Sequence, residues 1–387
     1  MHFSKASLHH PVIVLPEHKA AIEKSLSALI REPQPRTRLA EEAADNLEVP
    51  LTTVSLNSDF DAYIDIFFEG APATPAVQLL LDSGNSVLIV PRWEDIEALP
   101  NSNLNYEVLG QTSEPWGCPA NIVRGPIHLA TTSGNVYTLE DCLFYACTGD
   151  SPTEGSRTAN FGAGCLSPWT ASRWSTPLGT AFTMQAPLSY NPSYPCVEFN
   201  YAPAAQIHGV ARLPKVALGS SLNIYKTKPL GYQMFDIVPN IEWMSLIPKS
   251  LKIGDTITKW PGTVPSPIAM IDTGGGPVFL SDPDGYVYSA QWPDPVANPA
   301  WTSNSTACQS TLDAITIELG DQKGSFSYTI DTSSWPSTVQ GLTLVMCQRN
   351  SYMMDEQGMN IGGISALEIS ILVDFVNCQV GLKPKGR

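Results

Sequence analysis

The amino-acid sequence predicts an all-β protein made of two related lobes, preceded by a short helical arm. The 28 glycines and 33 prolines are spread along 387 residues, which favours many short strands joined by turns. Hydrophobic residues make up 43% of the chain, enough for buried cores and too many for a disordered protein. An apolar run followed by Asp, Ser or Thr, and Gly occurs twice, about half the chain apart, which predicts a duplicated unit with pseudo-twofold symmetry.

The charge balance excludes several classes of partner. The chain has 37 Asp and Glu against 22 Lys and Arg, a formal net charge of −15 at neutral pH. A chain this acidic repels nucleic acid and anionic membranes, and no run of 18 apolar residues is present to span a membrane. The eight cysteines and six histidines show no metal-ligand spacing. We therefore expect no metal, no cofactor, no nucleic-acid or membrane partner, and a monomer.

The first 48 residues differ in pattern from the rest of the chain. Residues 17–31 carry apolar side chains at helical spacing and stop before Pro33, which predicts a helix. Residues 36–48 are rich in charge and predict a linker or a loosely held arm. The start of the chain lacks the apolar core of a secretory signal, so we expect an intracellular protein, or one whose signal has been removed.

Two segments place a polar turn directly after an apolar strand and before another. The first segment consists of residues 77–81, Asp82, Ser83, Gly84 and residues 87–90. The second consists of residues 268–271, Asp272, Thr273, Gly274 and residues 278–280. Two carboxyl groups that share one site cannot both ionise easily, so one proton is shared between them. The pattern therefore predicts a carboxyl pair suited to acid and base chemistry.

The repeated motif resembles that of the pepsin-like aspartic proteases. In that family each lobe has a second apolar segment ending in Gly behind its Asp turn, and residues 160–166 and 359–363 are similar to these segments. Residues 371–382 resemble the closing strands of the family. The resemblance covers about residues 49–387 and implies the two-lobed, pepsin-like acid protease fold.

The same resemblance implies the domain limits. The N-terminal lobe would span residues 49–215 and carry Asp82, and the C-terminal lobe would span residues 216–387 and carry Asp272. Residues 1–48 have the length and position of an inhibitory propeptide. The alternative is a permanent helix packed on the lobes.

Asp82 and Asp272 are catalytic if the resemblance holds. One carboxylate would take a proton from water, which attacks a peptide carbonyl, while the protonated carboxyl stabilises the developing oxyanion. Glycines in the turns would let amide groups approach the carboxylates, and the two turn hydroxyls would tie the loops together. The expected supporting residues are Ser83, Gly84, Asn85, Thr273, Gly274 and Gly275.

The residue three positions after each aspartate departs from the family pattern. The family usually has Ser or Thr there, which hydrogen-bonds the outer carboxylate oxygen. This chain has Asn85 and Gly275. Asn85 can still donate a hydrogen bond, but Gly275 has no side chain, so we expect Asp272 to lose one supporting contact.

The flap over the cleft also departs from the family pattern. Ile89 stands where the family has a Trp that contacts a flap Tyr, and no Tyr-Gly occurs between the first turn and residue 164. Trp116 and Gly117 are the candidates for the flap tip. The resemblance also implies a disulfide between Cys308 and Cys347.

Two functions from different classes follow. The first is an aspartic endopeptidase with a peptide in the cleft between the lobes. The second is a pepsin-fold protein that no longer cleaves peptides, and acts as an acid/base enzyme on a small molecule or as a binding protein. The rebuilt flap, Gly275 and the absence of a signal motivate the second.

Overall fold

The computed structural model describes the parts of the chain that carry the two Asp turns. The described residues are 13–14, 46–51, 53–54, 61–68, 76–100, 105–113, 118–149, 159–165, 186–190, 193–202, 220–239, 243–260, 267–282, 287, 308–311, 313–335, 343–347 and 358–385. The helix predicted over residues 17–31 lies outside these ranges, as do Trp116 and Gly117.

The described chain is predominantly β, as predicted. The strands before residue 165 are β1 (Ile13–Val14), β2 (Asn46–Pro50), β3 (Thr53–Val54), β4 (Ala62–Ile66), β5 (Val77–Asp82), β6 (Leu88–Val90), β7 (Glu107–Ser113), β8 (Pro119–Ala130), β9 (Val136–Cys147) and β10 (Asn160–Gly162). The next strands are β11 (Cys196–Asn200), β12 (Ser221–Tyr225), β13 (Gln233–Asp236), β14 (Ser245–Ile253), β15 (Thr256–Lys259), β16 (Ile268–Met270), β17 (Val278–Ser281) and β18 (Cys308–Thr311). The last are β19 (Ile315–Gly320), β20 (Ser325–Ile330), β21 (Leu344–Cys347), β22 (Gly358–Asn360), β23 (Ile369–Asp374) and β24 (Gln379–Pro384).

Helices are short in the described residues. The α-helices are α1 (Trp93–Glu97) and α2 (Gly362–Glu368), and 3-10 turns span Pro187–Tyr190 and Thr332–Ser334. No helix in the described ranges has the length and apolar character needed to cross a membrane.

Three sheets contain these strands. The first has nine strands in the order β1-β7-β8-β9-β6-β10-β5-β4-β3. The second also has nine, in the order β18-β21-β17-β22-β16-β14-β19-β20, with β15 paired to β14. The third has six antiparallel strands in the order β13-β24-β23-β11-β12-β2 and joins the first, middle and last parts of the chain.

The two nine-stranded sheets share a run of five strands. The order β4-β5-β10-β6-β9 in the first matches β14-β16-β22-β17-β21 in the second. The strand directions match as well: the successive pairs are antiparallel, parallel, antiparallel and parallel in both sheets. Each Asp turn therefore lies between equivalent strands of an equivalent sheet.

The strands at the centre of each five-strand run are buried on both faces. All residues of β10, β16 and β22 are buried, as are the last four residues of β5. Strands covered on both faces need near-continuous apolar sequence, which explains why the runs before each Asp turn do not alternate with polar residues. Their burial fixes the position of the turns that follow.

The N-terminal segment enters the six-stranded sheet earlier than its sequence indicates. Strand β2 (Asn46–Pro50) pairs with β12, with Val49 opposite Leu222 and Asn46 opposite Tyr225. The predicted boundary between residues 48 and 49 thus falls inside a strand. Leu47 and Val49 of this strand pack into the core while Asn46 and Glu48 are exposed, but the alternation is too short to be recognised beside the charged residues before it.

The segments crossing behind the turns depend on a close backbone approach at Gly162. A Cβ atom at this position would lie 2.4 Å from both the amide nitrogen and the carbonyl oxygen of Val87. We expect Gly162→Ala to lower the free energy of unfolding by about 1–3 kcal/mol, because the backbone would have to move apart. Gly149→Ala is the matched control: its nearest neighbour would be 3.8 Å away, so its effect should stay within about 0.5 kcal/mol. Urea denaturation measures both, and equal effects would contradict the prediction.

Candidate active site

Asp82 and Asp272 occupy equivalent places at the ends of central strands. Asp82 is the last residue of β5, and Asp272 follows β16 by two residues. Both side chains are largely buried, with 8% and 7% of their surface exposed. The polar turn that follows each strand is thereby held inside the protein, where its groups need protein partners.

The structure brings the two carboxyl groups together. They are hydrogen-bonded to each other. A Cβ atom at Gly84 would lie 2.6 Å from Cγ of Asp272, and one at Gly274 would lie 2.6 Å from Cγ of Asp82. The backbone of each turn therefore lies against the carboxyl group of the opposite turn, and only glycine leaves room for this approach.

The Oδ1 atoms are the inner oxygens, because each faces the glycine of the opposite turn. The Gly84 amide donates to Oδ1 of Asp82 at 2.7 Å, and the Gly274 amide donates to Oδ1 of Asp272 at 3.0 Å. These contacts orient each carboxyl group within its own turn.

Ser83 and Thr273 bind the two turns to each other. The Ser83 amide donates to Oγ1 of Thr273 at 3.0 Å, and the Thr273 amide donates to Oγ of Ser83 at 2.9 Å. Each hydroxyl also donates across the interface, Ser83 to the Ile271 carbonyl and Thr273 to the Leu81 carbonyl. Both side chains are fully buried, so these four bonds fix the separation of the aspartates.

Two asparagines hold the outer oxygens of the pair. Nδ2 of Asn160 donates to Oδ2 of Asp82 at 2.7 Å, and Nδ2 of Asn360 donates to Oδ2 of Asp272 at 2.5 Å. Their strand registers match, because Asn160 lies opposite Leu80 and Asn360 opposite Met270, each two residues before its aspartate. Asn360 thus supplies the hydrogen bond to the outer oxygen of Asp272 that Gly275 was expected to leave missing.

Asn85 and Gly275 have different roles from those expected from the sequence. Asn85 donates to Oδ1 of Asn160 at 3.0 Å, so it supports the asparagine and not the carboxylate. At Gly275 a Cβ atom would lie 3.2 Å from Nδ2 of Asn360 and 3.1 Å from Oδ2 of Asp272. The asparagine amide thus lies next to the space that a side chain at residue 275 would enter.

The asparagines are the functional residues that the sequence analysis missed. A signal was present: Asn, an apolar residue and Gly stand together in both crossing segments, as Asn160-Phe161-Gly162 and Asn360-Ile361-Gly362. Tyr201 was missed as well, and it carries no comparable signal. Its side chain is fully buried, and this burial raises the pKa of its hydroxyl, with smaller contributions in the same direction from the charges of Asp61, Asp82 and Asp272 and an opposing one from a hydrogen bond with Thr273.

The electrostatics of the pair favour one shared proton. Burial, the charge of Asp82 and the hydrogen bond with Asp82 raise the pKa of Asp272 well above its ordinary value. The bonds from Asn360 and Gly274 act in the opposite direction and are smaller. The pair therefore holds one proton, which it can donate.

Two further predicted features are only partly described. Cys308 lies directly opposite Cys347 in the antiparallel pair of β18 and β21, and facing residues of such a pair are close enough for a disulfide. The bond itself stays a prediction. Ile89 is fully buried in a small apolar cluster with Leu109 and Ile122, which lie on the strands flanking residues 114–117. Trp116 and Gly117 lie outside the described residues.

No protein-family model matches the chain, and no curated protein matches it. Within the described residues, no three His, Cys, Asp or Glu side chains form a group that could hold a metal ion. The geometry of the carboxyl pair is therefore the main indication of function.

The raised pKa of Asp272 predicts how stability depends on pH. Above about pH 4, the unfolded carboxyl loses its proton while the folded one keeps it, so the free energy of unfolding falls as pH rises. The fall is about 1.4 kcal/mol for each unit by which the folded pKa is raised. Asp272→Asn should lack this fall, so its stability relative to the wild type should rise from pH 4 to pH 7. Urea denaturation at several pH values measures it; Asp255→Asn, on an exposed turn, is the control. Parallel curves for Asp272→Asn and wild type would contradict the prediction.

The crossed bonds between the turns predict an energetic coupling. Ser83→Ala and Thr273→Val should each cost about 1–3 kcal/mol, because each leaves a buried amide of the other turn without its acceptor. The double variant should cost less than the sum of the two by about 0.5 kcal/mol or more. As a control, Ser83→Ala should be additive with Thr343→Val, whose hydroxyl bonds the distant Asp313 carbonyl. Additivity of the first pair would show that the turns do not depend on each other.

Proposed function

We propose that the protein is an aspartic endopeptidase with the two-lobed, pepsin-like fold. The single observation that carries the proposal is the pair of hydrogen-bonded carboxyl groups of Asp82 and Asp272, each held by the same two kinds of donor. Burying two like-charged groups together is costly. A site that retains this arrangement with matched support on both sides is suited to proton transfer.

The strand order supports the two-lobed part of the proposal. The shared five-strand run gives each half of the chain its own Asp turn in the same setting, and the six-stranded sheet connects the halves. The lobes would span residues 49–215 and 216–387. Residues 1–48 would be the propeptide or arm, with its last residues already part of the connecting sheet.

The pair can hydrolyse a peptide bond without any other group. Ionised Asp82 takes a proton from a water molecule, whose oxygen forms a bond to the carbonyl carbon, while the Asp272 proton passes to the carbonyl oxygen. Asp82 then gives its proton to the amide nitrogen as the carbon–nitrogen bond breaks. The intermediate returns a proton to Asp272, which restores the starting state.

Acid conditions suit this chemistry in this protein. At neutral pH the net charge of −15 opposes a compact fold through self-repulsion, and protonation of surface carboxylates lowers it. The raised pKa of Asp272 keeps one proton on the pair across an acid range. A peptide in the cleft between the lobes is the proposed substrate.

One observation favours a second candidate function. Ile89 lies in an apolar cluster at the position where the resemblance implies a Trp that contacts the flap. A different cover would suit a compact pocket in which the same carboxyl pair acts as acid and base on a small molecule. Such a protein, or one that only binds its ligand, would cleave no peptide.

Digestion of an unfolded protein from pH 3 to pH 7, with and without pepstatin, distinguishes these functions. We expect pepstatin-sensitive cleavage at acid pH, followed by mass spectrometry of the fragments. Asp82→Asn and Asp272→Asn should each lower turnover by about 10²- to 10⁴-fold, because either change removes one partner of the proton transfer.

The exposed Asp255→Asn serves as the control and should retain wild-type turnover. Absence of cleavage at every pH would contradict the endopeptidase and favour the small-molecule enzyme or binding protein. Substantial activity in both Asp82→Asn and Asp272→Asn would remove the pair as the site of chemistry.

A further inference from the structure

We propose that Asn160 and Asn360 are positioning residues that keep the outer oxygens of the pair as hydrogen-bond acceptors, so that the shared proton lies between the inner oxygens. The inference deepens the proposed function, since it concerns the same carboxyl pair, but its test does not require peptide cleavage. It rests on four hydrogen bonds, two at each asparagine: one to an outer carboxyl oxygen and one that fixes the orientation of the amide.

The orientation of each asparagine amide is fixed by a second bond. Oδ1 of Asn160 accepts from Nδ2 of Asn85 at 3.0 Å, and Oδ1 of Asn360 accepts from the Gly362 amide at 2.9 Å. A rotation of either amide by half a turn would place its oxygen against a carboxylate oxygen and its NH₂ against a donor. Nδ2 therefore faces the carboxylate in both halves.

An amide nitrogen can donate a hydrogen bond but cannot accept one. A proton on Oδ2 of either aspartate would therefore point away from its neighbour or collide with the amide hydrogen. A hydroxyl group in that place could turn and accept instead, so it would tolerate protonation of the outer oxygen. The asparagines remove that freedom, so the inner oxygens, each next to the glycine of the opposite turn, remain for the proton.

The residues three places after the aspartates fit the same arrangement. Asn85 supports Asn160 in the first half, where its own Oδ1 accepts from the Val87 amide at 3.2 Å. In the second half, a side chain at Gly275 would crowd both Asn360 and Asp272. Asn160 and Asn360 thus donate the bonds that the resemblance expects from a Ser or Thr three places after each aspartate. This explains why Asn85 and Gly275 can stand at those positions.

Loss of an asparagine donor should raise the pKa of the pair. Asn360→Leu keeps a similar volume and removes the donor to Oδ2 of Asp272, so the ionised form loses a charge-assisted bond. We expect the higher pKa of the pair to rise by about one to two units. Asn160→Leu should act in the same direction through Asp82. The measurement is carbon NMR of isotope-labelled aspartate carboxyl groups against pH, with the pair assigned from Asp82→Asn and Asp272→Asn.

A matched control lies elsewhere in the protein. Asn223 is also buried and donates to a buried carboxylate, that of Glu198, at 3.0 Å. Asn223→Leu should leave the titration of the pair unchanged. Where Asn360→Leu does not fold, Asn360→Ala removes the same donor and should raise the pKa of the pair in the same direction. In Asn360→Ala, the further change Gly275→Ser should return a donor to Oδ2 and reverse most of the shift.

The outcomes separate this inference from the proposed function. A titration in the Asn360 variants that matches the wild type would overturn the inference, even if the protein cleaves peptides. An upward shift in Asn360→Leu but not in Asn223→Leu would support it, even if no peptide is cleaved. In that second case the proposal of endopeptidase activity would be wrong, while the proposed role of Asn160 and Asn360 in positioning the proton would be supported.

Discussion

The rest of the structure depends on keeping two like-charged carboxyl groups in one buried site. Each carboxylate would lose most of its hydration there, and their mutual repulsion adds to the cost. One shared proton removes the repulsion, a glycine amide donates to each inner oxygen, and an asparagine amide donates to each outer oxygen. These bonds stabilise the site because each of the four carboxyl oxygens has a hydrogen-bond donor.

Duplication of the strand pattern is the means by which the fold supplies those partners. A turn after one buried strand holds the aspartate, and the strand beside it, running parallel, brings an asparagine to the outer oxygen. Since both halves repeat this pattern, their turns can meet face to face and exchange the Ser83 and Thr273 bonds. The symmetry of the site follows from the symmetry of the strands and not from any contact specific to one side.

The parts predicted well from the sequence are those with a local signal. The apolar runs at residues 77–81 and 268–271 became strands β5 and β16 with ends within one residue of the predicted limits. Asp and Gly mark the turns that follow, because such turns need polar and permissive residues. The all-β class followed from the same frequent turns.

Long-range pairing gave no comparable signal. The six-stranded sheet joins residues 46–50 with strands near residues 200, 222 and 372. The residues of one strand do not indicate which distant strand it pairs with. Helix α2 begins with two glycines, which disfavour helix, so its sequence did not predict it. The sequence alone indicated no role for the asparagines, because their role appears only once the strand register sets them beside the aspartates.

Direct location of the proton is the most decisive measurement. A neutron crystal structure at acid pH should show the nearest oxygens of Asp82 and Asp272 about 3 Å apart with one hydrogen between them. The NH₂ groups of Asn160 and Asn360 should point at the outer oxygens. Carboxyl groups more than about 8 Å apart could not share a proton. That result would contradict the central claim that Asp82 and Asp272 form one site.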